Sequence, residues 1–349
     1  MKKLISFCLL LLTVFSMSSV GMMDVQAAAS YPLNKIEEPA SPFAMPPMPD
    51  LTAGSGFSVK LNVHQLGLEV GKTYQLKPTV TVPSGYSKNV KYFVQYSDII
   101  SVDANGLVTG LKPGDSGVAC QLAQFTEGMP AEGTYDICWV TVVESMFKDV
   151  RNANDYFFKP VYWAVRRGIT TGFTDSHGKP TGYFKPNATC TRGQIVTFLY
   201  RCFRVYDVFR PDTSGVQDFS DVKSDAYYYD AVRWAVALGI TTGYTDKNGN
   251  PTGYFGPDDV CTRAQVVTFI YRLIHEYWDV DTSEVEDFTD VKSNAYYYNA
   301  VKWCVAFGIT NGYSNSDGSP SGKFGPDDKC TRGQVVTFLY RAEDAENLI

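Results

Sequence analysis

The chain has 349 residues with a formal net charge of −6 and 44% hydrophobic residues, enough for more than one sizeable core and without the basic excess that nucleic acid requires. Its three histidines stand in unlike contexts, its cysteines show no CxxC spacing, and no serine or cysteine occupies a nucleophile motif. Composition and spacing thus point away from an enzyme, a metal site or a cofactor.

Residues 1–29 read as a secretory signal peptide: Lys2 and Lys3, an apolar run from Leu4 to Phe15, then small residues in VQAAAS. Cleavage fits after Ala27 or Ala29, and Ser16, Ser18 and Ser19 interrupt the run too early for a comfortable membrane span. Residues 30–58, rich in Pro, Ser and Met, read as a linker. From 59 to 145 short apolar or alternating runs (LNVHQLGLEV, TYQLKPTVTV, VKYFVQYS, GVACQL, YDICWVTVVE) are separated by turn signals such as Ala104-Asn105-Gly106 and Lys112-Pro113-Gly114-Asp115. That spacing predicts an all-β sandwich. Within it Val102, Asp103, Gly106, Val108, Thr109 and Gly110 resemble the bacterial immunoglobulin-like (Big2-type) domain, with Phe93 where the family usually has tryptophan.

The remainder repeats three times, over 146–210, 218–280 and 287–349. Phe147-Lys-Asp149-Val150 recurs as Phe219-Ser-Asp221-Val222 and Phe288-Thr-Asp290-Val291, and Trp163, Trp234 and Trp303 follow at spacings of 71 and 69 residues. In the second copy Tyr227, Ala231, Trp234, Ala235 and Leu238 fall on one helical face, and Gly239 supplies a left-handed stop. A hairpin-like loop around Asn248-Gly249 comes next, matched by His177-Gly178 and Asp317-Gly318. A second helix begins at Thr262 with Val266, Ile270, Leu273 and Ile274 toward its core. Asp246-Lys-Asn248-Gly-Asn250 lacks the glycine and glutamate of a calcium loop and reads as a turn.

CTRGQIVTFLYR at 190–201 returns at 261–272 and 330–341 with few changes. Thr191/Gln194, Thr262/Gln265 and Thr331/Gln334 have the spacing of a capping box, worth roughly 1 kcal/mol per cap. Arg192, Arg263 and Arg332 occupy the first helical position, where the macrodipole disfavours a cation. Two readings stay open: the arginine, the dipole and free backbone amides receive an anion, or each arginine pairs with an aspartate such as Asp258 or Asp327. Cys190, Cys261 and Cys330 share one repeat position and read as small apolar core residues; Cys120 and Cys138 either bridge neighbouring strands or remain thiols. The tryptophans are either core or the edge of a groove, and one of each aromatic triplet at 156–158, 227–229 and 296–298 is a candidate sugar-stacking face.

The Phe-x-Asp-Val opening, Trp-Ala, Gly-Ile-Thr-x-Gly, Phe-x-Pro and the Thr-Arg phrase, in that order and three times over, resemble S-layer homology (SLH) modules. The resemblance implies a mainly α, pseudo-threefold bundle behind the Ig-like sandwich. It also implies grooves that hold secondary cell-wall polysaccharide, often through a pyruvate ketal, and so a non-catalytic protein anchored non-covalently at the cell wall or surface. Carried over by motif, the polysaccharide-binding residues are Arg192, Arg263 and Arg332; Gly168, Thr170 and Gly172; Gly239, Thr241 and Gly243; Gly308, Thr310 and Gly312; and Trp163, Trp234 and Trp303. Gln194, Gln265 and Gln334 replace the signature glutamate, which removes a negative charge beside each arginine. The alternatives are direct binding of peptidoglycan, or an adhesin whose Ig-like domain takes an external partner such as a surface protein.

Overall fold

The computed structural model describes residues 56–125 and 133–346, so the expected signal peptide and nearly all of the expected linker lie outside the described residues. The first region is a two-layer β structure. Strand β2 (Gln65–Glu69) pairs in parallel with β9 (Tyr135–Val143), which pairs with β8 (Gly114–Leu122) and through it with β5 (Val90–Val94). A second sheet runs β3 (Thr73–Gln75), β7 (Leu107–Gly110), β6 (Ile100–Val102), and β1 (Ser58–Lys60) pairs with β4 (Thr79–Thr81). Alternation sends Leu66, Leu68, Val108, Val118, Val140 and Val142 between the layers. The Val-Asp turn follows from side-chain chemistry: Asp103 Oδ1 accepts from the amides of Asn105 and Leu107 at 2.9 and 2.8 Å, and Gly106 takes φ +84°. Cys120 and Cys138 are free and buried; the ladder pairs Cys120 with Asp136 and Cys138 with Val118, so they are not direct cross-strand partners.

Among the described residues the second region has six α-helices, two per repeat. They are α1 (Phe158–Arg166), α2 (Arg192–Phe203), α3 (Tyr229–Ala237), α4 (Arg263–Ile274), α5 (Tyr298–Ala306) and α6 (Arg332–Glu346). The dominant helix pairs join neighbours rather than members of one repeat: α2 packs on α3, α4 on α5, and α6 on α1. The ring closes. Its aromatic signature repeats, with Tyr200 beside Trp234, Tyr271 beside Trp303 and Tyr340 beside Trp163 at centroid separations of 5.6, 5.8 and 5.5 Å. At the pseudo-threefold axis three backbone hydrogen bonds form a cycle, Cys190 N to Cys330 O, Cys330 N to Cys261 O and Cys261 N to Cys190 O, at 2.9–3.1 Å. All three cysteines are fully buried at this junction, as small apolar residues commonly are.

One local expectation is corrected. Tyr227 does not share the buried face of α3: the helix begins at Tyr229, and Tyr227 lies ahead of it, 61% exposed. The apolar stripe is instead Ala231, Val232, Trp234 and Ala235. The two regions also touch. Arg166 of α1 bonds Asp115 of β8 at 2.5 Å, the Met146 amide donates to Glu69, and a Cβ on Gly67 would overlap the ring of Phe158.

Candidate functional site

The aspartate repeated in each Phe-x-Asp-Val opening shapes the loop that receives the next partner. Asp149 accepts from the amides of Phe184 and Lys185, Asp221 from Phe255 and Gly256, and Asp290 from Phe324 and Gly325, all at 2.7–2.9 Å. This bends each Phe-x-Pro loop so that its phenylalanine carbonyl faces the helix N-terminus of another repeat.

The helix starts carry both capping-box bonds. Thr191, Thr262 and Thr331 accept from the amides of Gln194, Gln265 and Gln334 at 3.3–3.4 Å, and the glutamine carbonyls accept the threonine amides in return. The other two amides of each first turn also have partners. Arg192 and Gly193 donate to Asp259 and Pro257, Arg263 and Ala264 to Asp328 and Pro326, and Arg332 and Gly333 to Ala188 and Pro186. Free backbone amides for an anion were expected here; the amides are instead taken by the neighbouring repeat, so the helix dipole is already satisfied. A Cβ on Gly193 would meet the Tyr228 ring at 2.9 Å and the Pro257 carbonyl at 3.1 Å, and one on Gly333 the Pro186 carbonyl at 3.1 Å, while Ala264 makes the same amide bond with a Cβ in place.

The arginine side chains behave differently. Each is 3–4% exposed and spans a repeat junction: Arg192 Nε donates to Phe255 O, Arg263 Nε to Phe324 O and Arg332 Nε to Phe184 O, at 2.8–2.9 Å. Each guanidinium sits among three rings of the receiving repeat at 4.5–5.4 Å: Tyr244, Phe255 and Phe269 for Arg192; Tyr313, Phe324 and Phe338 for Arg263; Phe173, Phe184 and Phe198 for Arg332. Neither expected aspartate pairs with them. Among the described residues no carboxylate forms an ion pair with any of the three, and their terminal nitrogens find no acceptor oxygen. Cation–π contacts contribute about 0.5–2 kcal/mol, whereas desolvating an ion costs several kcal/mol, so three buried cations are left short of anionic partners. Burial accordingly pulls Arg332 below its usual value.

The tyrosine that opens each aromatic triplet stands open at these junctions. Tyr156, Tyr227 and Tyr296 are 55, 61 and 65% exposed, whereas Phe158 is buried and Phe157, Tyr228, Tyr229, Tyr297 and Tyr298 are partly so. Burial pushes the Tyr156 hydroxyl up while a hydrogen bond with Thr331 pulls it back, which sets Tyr156 at the cap of α6. Burial likewise raises the Tyr227 and Tyr296 hydroxyls, with Arg332 and Arg192 the smallest and opposing influences.

The remaining sequence-assigned residues are engaged elsewhere. Trp163, Trp234 and Trp303 are only 3–8% exposed, and the rings facing the arginines are other residues, so the tryptophans pack the helix pairs rather than edging a groove. Thr170, Thr241 and Thr310 are buried and accept from the amides of Gly172, Gly243 and Gly312, closing a turn. Those three glycines have φ between +72° and +88°, and a Cβ there would strike Phe147, Phe219 and Phe288. Gly168, Gly239 and Gly308 also have positive φ, as left-handed helix stops. The cage residues Phe173, Tyr244 and Tyr313 escaped sequence reading; their place just after Gly172, Gly243 and Gly312 was the available signal. No helix among the described residues is long and apolar enough to cross a membrane, and no described cluster of His, Cys, Asp or Glu suits a metal ion.

Comparison with known proteins agrees with this architecture. The S-layer homology domain matches residues 147–196, 218–267 and 287–336, and the bacterial Ig-like domain (group 2) matches 57–120; neither is a catalytic domain. A cell surface protein of Thermoanaerobacter kivui is 33% identical over 140 residues, 40% of this chain and 17% of that protein. An amylopullulanase of Thermoanaerobacterium thermosulfurigenes is 27% identical over 177 residues, 50% of this chain and 8% of the enzyme. A cellulosome-anchoring protein of Acetivibrio thermocellus is 24% identical over 171 residues, 47% of this chain and 34% of that protein. The chain thus spans about a third or less of the length of these relatives. It carries three S-layer homology domains behind one bacterial Ig-like domain, and it is a protein of the cell wall or cell surface.

Proposed function

We propose that the three repeats tether the protein non-covalently to the wall by binding an anionic secondary cell-wall polysaccharide in the junctions between repeats. The observation that carries this is the set of three nearly buried guanidiniums that have aromatic walls but no carboxylate partner. A saccharide carboxylate such as a pyruvate ketal would supply that partner through charge-assisted hydrogen bonds, and an exposed tyrosine beside each junction offers a stacking face for its ring. The domains are non-catalytic on this reading, and the Ig-like domain is a spacer seated on α1 through Asp115 and Arg166.

Sedimentation with purified walls tests it, using walls intact and stripped of acid-labile ketals and polysaccharide. The wild type is expected to pellet only with intact walls. A variant with Arg192, Arg263 and Arg332 changed to lysine, which keeps the charge but loses the planar fork, is expected to weaken binding at least about tenfold while retaining its helical circular dichroism. Equal pelleting of that variant, or undiminished pelleting on stripped walls, would remove the anion-binding reading and favour peptidoglycan as the ligand.

A further inference from the structure

The three junctions share one frame but not one charge. In the loop that receives Arg192 the residues are Phe255-Gly256-Pro257-Asp258-Asp259, and in the loop that receives Arg263 they are Phe324-Gly325-Pro326-Asp327-Asp328. In the loop that receives Arg332 they are Phe184-Lys185-Pro186-Asn187-Ala188. Two exposed aspartates and a glycine, charge −2, are thus replaced by a lysine, asparagine and alanine, charge +1; one residue further out on each side the Arg192 loop stays at −2, Lys323 and Lys329 bring the Arg263 loop to zero, and the Arg332 loop stays at +1. Asp149 does not cancel this difference, because Asp221 and Asp290 bond the equivalent loop amides in the other two junctions.

The replacements are coupled. Tyr244 donates its hydroxyl to Asp259 at 2.8 Å and Tyr313 to Asp328 at 2.9 Å; the third junction has Phe173 and Ala188, which can make no such bond. In those two junctions a Cβ on Gly256 or Gly325 would overlap that tyrosine and that aspartate, and both glycines have positive φ, so glycine is favoured there. Removing both groups opens the space that Lys185 occupies. Lys185 holds φ +58°, the one positive value on a non-glycine residue among the described residues, and Asp149 imposes it through the Lys185 amide at 2.7 Å, as Asp221 and Asp290 do for Gly256 and Gly325 at +70° and +71°. Its ammonium lies 4.3 Å from the Phe173 centroid, and the Arg332 guanidinium lies 4.5 Å from the same ring. Two cations therefore share one aromatic ring, one of them 4% exposed with unsatisfied terminal nitrogens and the other open to solvent.

We propose that the junction between the third and first repeats is the carboxylate site of this chain, with Lys185 selecting for the negative charge. The other two junctions, whose loops each carry two aspartates, take only uncharged parts of the polymer. This assignment rests on the wall-polysaccharide reading above and adds to it which junction reads the charge.

The test titrates the full chain with polysaccharide released from purified walls of the producing bacterium, native and after chemical reduction of its carboxyl groups. Lys185→Gly is the informative variant, since glycine accepts the left-handed backbone and the variant is expected to melt no lower than wild type. It should bind native polysaccharide about tenfold more weakly and reduced polysaccharide unchanged. Arg332→Lys should weaken native binding more than Arg192→Lys or Arg263→Lys. A combined Gly256→Lys, Tyr244→Phe and Asp259→Ala variant should gain affinity for the native form only. Native binding left unaltered by Lys185→Gly, or equal losses from the three arginine variants, would overturn the assignment while leaving the wall reading in place. A wild type that binds native and reduced polymer equally would overturn both.

Discussion

The β-sandwich and the helical ring bury their apolar residues in opposite ways. The sandwich closes its core with strands of one continuous segment, from Val59 to Val142. No repeat of the ring does so: each passes its second helix to the next repeat, and the last passes its own to the first. A sandwich of this kind is stable or unstable as a unit of its own. The ring is stable only as a closed circuit, because an open chain of the same repeats would leave α1 and one flank of each end uncovered.

The largest expected effect follows from that difference. Deleting residues 287–349 removes α6 from α1, and the remaining repeats should lose their cooperative helical transition by circular dichroism. The β signal of the Ig-like domain should survive. Retention of a sharp helical transition would show that two repeats suffice and that closure is dispensable.

Glu343→Ala opens the same seam without removing a helix. Glu343 Oε2 accepts from the Trp163 indole at 2.7 Å, and its other oxygen accepts from Arg167 and from Tyr206. Leaving these donors without the carboxylate should cost about 2–3 kcal/mol in denaturant unfolding of the repeats. Trp234 uses a different acceptor, Phe209 O at 2.8 Å, so the loss belongs to the closing seam alone. A cost no greater than that of a single cap would mean that the seam is held by packing alone.

Thr262→Ala removes one N-cap and should cost about 1 kcal/mol, confined to the ring. Arg166→Ala breaks the pair with Asp115 between the two regions. Both side chains are partly exposed, at 25 and 29%, so the cost should stay below about 1 kcal/mol in either transition. A larger effect on both melts would show that the two regions unfold as one.

The contrast also explains what could be read from the sequence. Caps, helix stops and the Asp103 turn are decided within a few residues, and these were legible. The amides of Arg192 and Gly193 were not, because their acceptors lie more than 60 residues away on another repeat. Nor was the fate of Tyr227: periodicity assigns it to α3, but the chain turns into the helix two residues later and leaves it at a junction. The tryptophans were legible as apolar but not as members of an inter-repeat pair, since nothing local to Trp234 specifies Tyr200. Lys185 shows the same limit in another form. Its lysine is plain in the sequence, but the left-handed backbone that makes it unusual depends on Asp149, Phe173 and Ala188 together.

Two adjacent arginines at the end of α1, Arg166 and its cap Arg167, carry a mechanical consequence. Arg166 holds the Ig-like domain through Asp115, while Arg167 holds the closing helix through Glu343. Tension applied from the Ig-like side reaches the repeats at the very turn that locks them shut. Drag on the protein is shared between this contact and the chain itself, which runs from β9 through Met146 into α1 and so enters the ring at the same seam. Because the helix pairs form one circuit, opening that seam would loosen the ring as a whole rather than one repeat after another.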